Sequence, residues 1–99
     1  MAKSIIQDNY AMCFLCGANG SSDLLEEHHV FGGANRKLSE KDGMKVRICG
    51  NKCHRIGKMS VHQNAITSSK LKGTAQMIWM KKYGSKEDFM KRYGKNYLG

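Results

Sequence analysis

The sequence predicts an α+β fold, a metal-fastened β-hairpin followed by helices, and three observations predict it. Four cysteines stand as two short-spaced pairs, Cys13/Cys16 and Cys49/Cys53. The stretch between the pairs reads as strand, glycine turn, strand. From about Asn64 onward the apolar pattern takes a helical period. At 99 residues the chain is long enough for one small domain. We divide it into an N-terminal arm (1–12), a cysteine- and histidine-bearing core (13–62) and a helical tail (63–99).

Residues 1–12 are expected to form a short arm or a ragged helix that packs Ile5, Ile6 and Tyr10 onto the body. Cys13-Phe14-Leu15-Cys16-Gly17 is a C-x2-C knuckle, and its glycine lets the backbone turn so that both sulfurs face one point. Residues 24–31 read as a strand, Gly32-Gly33-Ala34-Asn35 as a turn, and residues 36–42 as room for one helical turn ended by Gly43. Met44-Lys45-Val46-Arg47-Ile48 alternates apolar and basic. Its buried side should be Met44, Val46 and Ile48, with Lys45 and Arg47 facing away. Cys49 to Cys53 forms the second knuckle, C-x3-C, running into a short helix that stops near Gly57.

In the tail, Leu71, Ala75, Ile78 and Trp79 fall at i, i+4, i+7 and i+8, one face of a helix. Gly73 interrupts it, so two segments are expected. Tyr83-Gly84 stops the pattern, and Ser85 with Asp88 forms a capping pair that opens a last helix bearing Phe89, Met90 and Tyr93. These aromatic and methionine stripes are read as core.

No stretch reaches the length of apolar residues a membrane span needs, and the N-terminus carries no secretory pattern. An intracellular, cytoplasmic setting follows as the expectation, and there four cysteines at ligand spacing serve a metal rather than disulfides. Four thiolates in two pairs suit a tetrahedral zinc ion. The 32 residues between the pairs (17–48) exceed the usual spacing of such sites, so a structured insert is required.

That insert carries His28 and His29, while His54 directly follows Cys53. On a helix, neighbouring side chains diverge by about 100°, so Cys53 can serve the zinc while His54 faces a second site. His62 would lie ~12 Å further along an unbroken helix and could join His54 only if the chain breaks, which Gly57 permits. Consecutive strand residues point to opposite faces, so His28 and His29 reach one site only if the strand ends or twists there. One would ligate an ion and the other would take a proton from water, roles that suit imidazole.

The net charge is +9. It falls entirely in residues 50–99, because residues 1–49 carry equal numbers of basic and acidic side chains. Such asymmetry points to a polyanion, nucleic acid above all, or else to a merely solvated face. Arg36, Lys37, Arg47, Arg55 and Lys58 are the expected phosphate contacts.

Glu27-His28-His29, Gly32-Gly33, Val46-Arg47-Ile48-Cys49 and Cys53-His54 together resemble the HNH endonuclease motif, the ββα-metal fold. The flanking cysteine pairs resemble its zinc-bearing subgroup. The stretch from Asn35 to Lys41, the segment Val61-His62-Gln63-Asn64 and the stretch from Phe89 to Leu98 look like small phage and prophage members. The resemblance implies a metal-dependent nuclease that hydrolyses DNA phosphodiesters, by nicking or double-strand cleavage. It implies His28 and His54 as ligands of a catalytic divalent ion (Mg²⁺, Mn²⁺ or Zn²⁺), His29 as general base, and His62 as a third ligand or a phosphate contact. It also implies a bacterial or phage-infected cell, with a phage or host recombination or packaging protein as a further partner. The family's middle asparagine should stand near Met44 or Lys45, and neither can take its role. Asn35, Asn51, Asn64 or a backbone carbonyl would have to orient the base instead. The alternative reading is a non-catalytic, zinc-stabilised nucleic-acid-binding protein on the same scaffold.

Overall fold

A computed structural model describes residues 3–99 of the chain, so the first two residues of the arm lie outside it. Two antiparallel strands, β1 (Leu25–His29) and β2 (Lys45–Cys49), form the only sheet among these residues. Their register runs from Leu25 opposite Cys49 to His29 opposite Lys45. Between them the chain makes one tight turn of 3-10 helix at Gly33–Asn35 and then helix α1 (Arg36–Asp42). Two longer helices, α2 (Ala65–Lys82) and α3 (Lys86–Tyr93), complete a small α+β fold.

β1 is shorter than its apolar pattern predicts. Val30 and Phe31 leave the ladder and become almost fully buried. Gly33, at φ +57°, lets the chain double back immediately afterwards. Phe31 thereby becomes the hub of an aromatic cluster, with ring centroids 5.4 Å from Phe89, 4.6 Å from Tyr93 and 5.4 Å from Tyr97. Met44, Val46 and Ile48 add the buried face of the hairpin, as their alternation predicts. α1 runs for seven residues, longer than the single turn expected, and ends on Gly43 in the left-handed conformation (φ 74°).

Three further points refine the expectations. First, residues 3–12 are an arm rather than a helix, lying along the outer edge of β2. Ser4 Oγ donates to the carbonyl of Lys45 (2.5 Å), and Ile5 N–H donates to that of Gly43 (3.0 Å). The Gln7 side-chain oxygen accepts the Arg47 amide (2.7 Å). Ile5 and Ile6 do pack against the core. Second, α2 is one unbroken helix of 18 residues. Gly73 sits where the tail crosses it, and a Cβ there would lie 3.4 Å from the carbonyl oxygen of Tyr97. Buried Gln76 fixes that crossing by accepting the Tyr97 amide (2.7 Å) and donating to Asn96 (2.8 Å). Third, Lys45 faces away from the apolar side but is not in solvent: it is 3% exposed.

Leu71, Ala75 and Trp79 form the buried stripe of α2, with Ile78 half-buried at its margin. Asn64 caps this helix by accepting the Thr67 amide (3.0 Å). The predicted capping box opens α3: Ser85 accepts the Asp88 amide, and Asp88 accepts that of Ser85. On α3, Phe89 and Tyr93 are buried, but Met90 is exposed. Both helices are tied to the end of α1 through Asp42. Its carboxylate accepts Trp79 Nε1 (2.9 Å), Tyr93 OH (2.7 Å) and two bonds from Arg92 (2.6 and 2.8 Å). Burial works against the ionised carboxylate, yet the bonds from Arg92, Tyr93 and Trp79 hold its pKa below the usual aspartate value. No helix among the described residues is long and apolar enough to cross a membrane.

Candidate metal centre

The two knuckles meet. The sulfurs of Cys13, Cys16, Cys49 and Cys53 all lie within 4.8 Å of one another. Two of the separations are 3.6 Å (Cys13 to Cys53) and 3.5 Å (Cys16 to Cys49). A tetrahedral zinc with Zn–S bonds of ~2.3 Å requires sulfur edges of ~3.8 Å, so this cluster is compatible with a structural zinc site. The separations are far too long for disulfides, whose S–S bond is ~2.05 Å. Backbone N–H groups of Cys16 and Cys49 approach Cys13 Sγ at 3.4 Å each. Against the effect of burial, these donors bring the Cys13 thiol down to about 7. Such donors stabilise a thiolate whether or not a cation shares it.

A second cluster brings together His28, His54 and His62, whose ligand nitrogens also lie within 4.8 Å. Ring centroids are 5.0 Å apart for His28–His54, 5.7 Å for His28–His62 and 4.7 Å for His54–His62. The break that His62 needs is present. After Cys49 the chain makes one wide helical turn (Gly50–Arg55), closed by the Ile56 amide on the Asn51 carbonyl (2.8 Å). It then turns at Gly57, where a Cβ would collide with the Lys52 carbonyl oxygen. Residues 61 and 62 return beside 53 and 54, with Val61 N–H on Cys53 O (2.8 Å) and His62 N–H on His54 O (3.2 Å). Cys53 and His54 therefore serve two different clusters, as their adjacency on a helical turn predicts.

The protonation of this triad follows from its partners. Burial first, and then His54 and His62, push the His28 pKa down to about 3, so that ring is neutral at pH 7. Burial and the neighbouring His54 and Arg55 lower that of His62 as well. Glu26 lies 2.8 Å from His54 Nδ1 and 3.0 Å from Arg55 Nε. The His54 bond, with Arg55 beside it, keeps Glu26 below the ordinary carboxylate range. An ionised carboxylate only accepts, so His54 Nδ1 donates to it and Nε2 is the nitrogen left to face the cluster. A carboxylate behind an imidazole in this way orients a metal-binding histidine and raises its basicity.

His29 belongs to neither cluster. β1 ends at His29, one of the two ways left open for both histidines to reach one site, and strand alternation gives the His28 and His29 rings different immediate partners. His29 Nε2 lies 2.8 Å from Glu40 Oε1 on α1. The other oxygen of Glu40 accepts Lys45 Nζ at 2.7 Å, and Glu27 lies 3.6 Å from the same ammonium. Bonds from Lys45 and then His29 hold the Glu40 carboxyl down to about 2. By the argument used for His54, Nε2 of His29 donates and Nδ1 is the basic nitrogen. A cavity of about 400 Å³ opens beside this ring, lined by His29, Gly33, Arg36, Lys37 and Glu40.

Comparison of the chain with protein-family models, curated proteins and solved structures returned no match. The chemistry is therefore argued from the residues themselves.

Among the expected phosphate contacts, Arg36 and Lys37 share the His29 cavity, and Arg55 stands beside His54 through Glu26. Arg47 is elsewhere, its guanidinium 5.6 Å from the Tyr10 ring centroid on the outer side of β2. Lys58 borders the cysteine cluster. None of the three asparagines orients His29. Asn35 donates to the Tyr93 carbonyl (3.0 Å), the Asn51 amide is bound by Asp23, and Asn64 caps α2. Glu40 holds the ring instead, and sequence reasoning missed it. The available signal was its place four residues after Arg36, which puts both on one face of a short helix.

Proposed function

We propose that the protein is a metal-dependent endonuclease of the HNH type acting on DNA, with Cys13, Cys16, Cys49 and Cys53 holding a structural zinc. The observation that carries this reading is the convergence of His28, His54 and His62 one residue away from an imidazole backed by a carboxylate. A merely structural domain has no need of three histidines gathered there with Glu26 behind one of them.

In this reading His28 and His54 hold a divalent ion and His62 is the third ligand. Three imidazoles favour zinc, or another borderline ion such as Ni²⁺, over Mg²⁺, which prefers oxygen ligands. When bound, such an ion stabilises negative charge on the phosphate and on the leaving 3′-oxygen. His29 Nδ1 takes the proton from the attacking water, and Glu40 stabilises the imidazolium that results. Lys45 keeps Glu40 ionised and in place. Arg36 and Lys37 hold a backbone phosphate beside His29, while the basic surface of residues 50–99 supplies sequence-independent attraction.

The test is nicking of supercoiled plasmid by the zinc-loaded protein with Mg²⁺, Mn²⁺, Ni²⁺ or added Zn²⁺. Wild type should convert plasmid to the open circle. His29→Ala should lose about 100-fold or more in rate while keeping its zinc content and its DNA affinity. Equal cutting by the two proteins removes His29 from the chemistry. DNA binding without cutting in any metal leaves the zinc-stabilised binder as the function.

A further inference from the structure

The outer side of the cysteine cluster carries a groove whose apolar walls the nuclease reading does not use. A hollow of about 380 Å³ beside Cys16 and Cys53 adjoins a second of about 230 Å³ along the start of α2. Leu15, Met59 and Thr67 line both, so the two form one continuous trough. Its apolar walls are open to water: Met59 and Ile66 are each 65% exposed and Leu15 is 38% exposed. Around them stand Lys52, Lys58 and Lys70, and no carboxylate lines either hollow.

We infer that this groove is a docking site for an acidic amphipathic segment of a partner protein, its apolar side chains seated on Leu15, Met59 and Ile66 and its carboxylates facing the three lysines. The charge pattern selects this occupant. A second copy of the chain is opposed by like charge, since the whole excess of +9 lies in the half that forms most of the trough. Nucleic acid would satisfy the lysines but would leave the aliphatic walls unmatched, because bases stack on aromatic rings and the groove offers only Phe14. Exposed methionine, flexible and polarizable, is suited to receiving apolar side chains of varied shape. The groove is also anchored to the metal scaffold. Leu15 lies inside the first knuckle, and Met59 lies on the return that carries His62.

The experiment uses the zinc-loaded full chain and a displayed library of random 16-residue peptides. Selection should enrich sequences combining Asp or Glu with Leu, Ile or Phe. The best of them, labelled and followed by fluorescence anisotropy, should bind about tenfold more weakly to the double variant Met59→Ser, Ile66→Ser. Zinc content and duplex-DNA affinity of that variant should equal the wild type, which separates failure of the groove from failure of the nuclease reading. The inference is overturned if selection yields no binders, or yields neutral or basic ones. Retention of wild-type peptide affinity by the double variant overturns it too. So does strong competition of a single-stranded oligonucleotide for the groove that those two serines abolish, an outcome that would assign the surface to nucleic acid.

Discussion

Two regions grip the hairpin that carries the histidines, and they do so by different physics. At one end Cys49, the last residue of β2, joins three other thiols from two knuckles. At the other end Asp42, three residues before β2 begins, gathers Trp79, Arg92 and Tyr93 from α2 and α3. Each region ties together segments far apart in sequence, and each lets a small apolar core hold its shape. The cysteine end has the donors for a zinc ion, and a zinc held there would open it to chelators and oxidants. The aspartate end depends on charge-assisted hydrogen bonds within the chain and is open to acid. The histidine-bearing hairpin thus lies between a cluster suited to an exchangeable cation and a fastening made by the chain itself.

The largest effect should come from breaking the cysteine end. Structural zinc sites contribute on the order of 10 kcal/mol to folding, so Cys49→Ser, or a strong chelator, should abolish the cooperative thermal transition. Circular dichroism and zinc-per-chain analysis check this together. An unchanged melting curve after complete metal removal would mean that the thiols are simply core residues. Breaking the aspartate end should cost less. Asp42→Ala strands Arg92 and removes two other bonds, those from Trp79 and Tyr93, for an expected loss of about 3 kcal/mol in urea unfolding, with zinc stoichiometry unchanged. A loss below about 1 kcal/mol would make the carboxylate a bystander.

The smallest effect is the pH dependence that sharpens the contrast. The Asp42 pKa is lowered in the fold, so its contribution is complete above the unfolded value of 3.8 and is lost as pH falls through the lower folded value. In excess zinc, the gap in urea midpoint between wild type and Asp42→Asn should be constant above about pH 5 and should close on further acidification. A gap that instead widens with acid would reverse the assigned sign.

The two ends also differ in how far sequence disclosed them. The cysteine end was legible because ligand spacing is a local code: C-x2-C and C-x3-C each declare themselves within a few residues. The hairpin and the cap at Ser85 were legible for the same reason, and so was the break at Gly57, whereas the cap at Asn64 was read only as the start of a helical pattern. The aspartate end was invisible, since Asp42 meets residues 37 to 51 positions later and nothing near it marks the encounter. Glu40 and Lys45 escaped on similar grounds. Lys45 alternates correctly with Val46 and Arg47, but period-2 reasoning assigns a face and not its cover. Here α1 roofs that face and brings Glu40 over the lysine. The divergence of His28 and His29 was legible from strand alternation, but where the strand ends was not.

The arm has a consequence for solubility. An unpaired strand edge is a template on which other chains can add, and a two-stranded sheet is mostly edge. The outer edge of β2 is closed without a third strand. Ser4 and Ile5 take the carbonyls of Lys45 and Gly43, Gln7 takes the Arg47 amide with a side chain, and the Phe14 amide takes the Arg47 carbonyl (2.8 Å). A side-chain amide ends the ladder where a backbone strand would extend it, because it offers no further row of donors and acceptors to an incoming chain. The glutamine thus guards against self-association in a protein whose histidine-bearing hairpin would otherwise lie open along this edge.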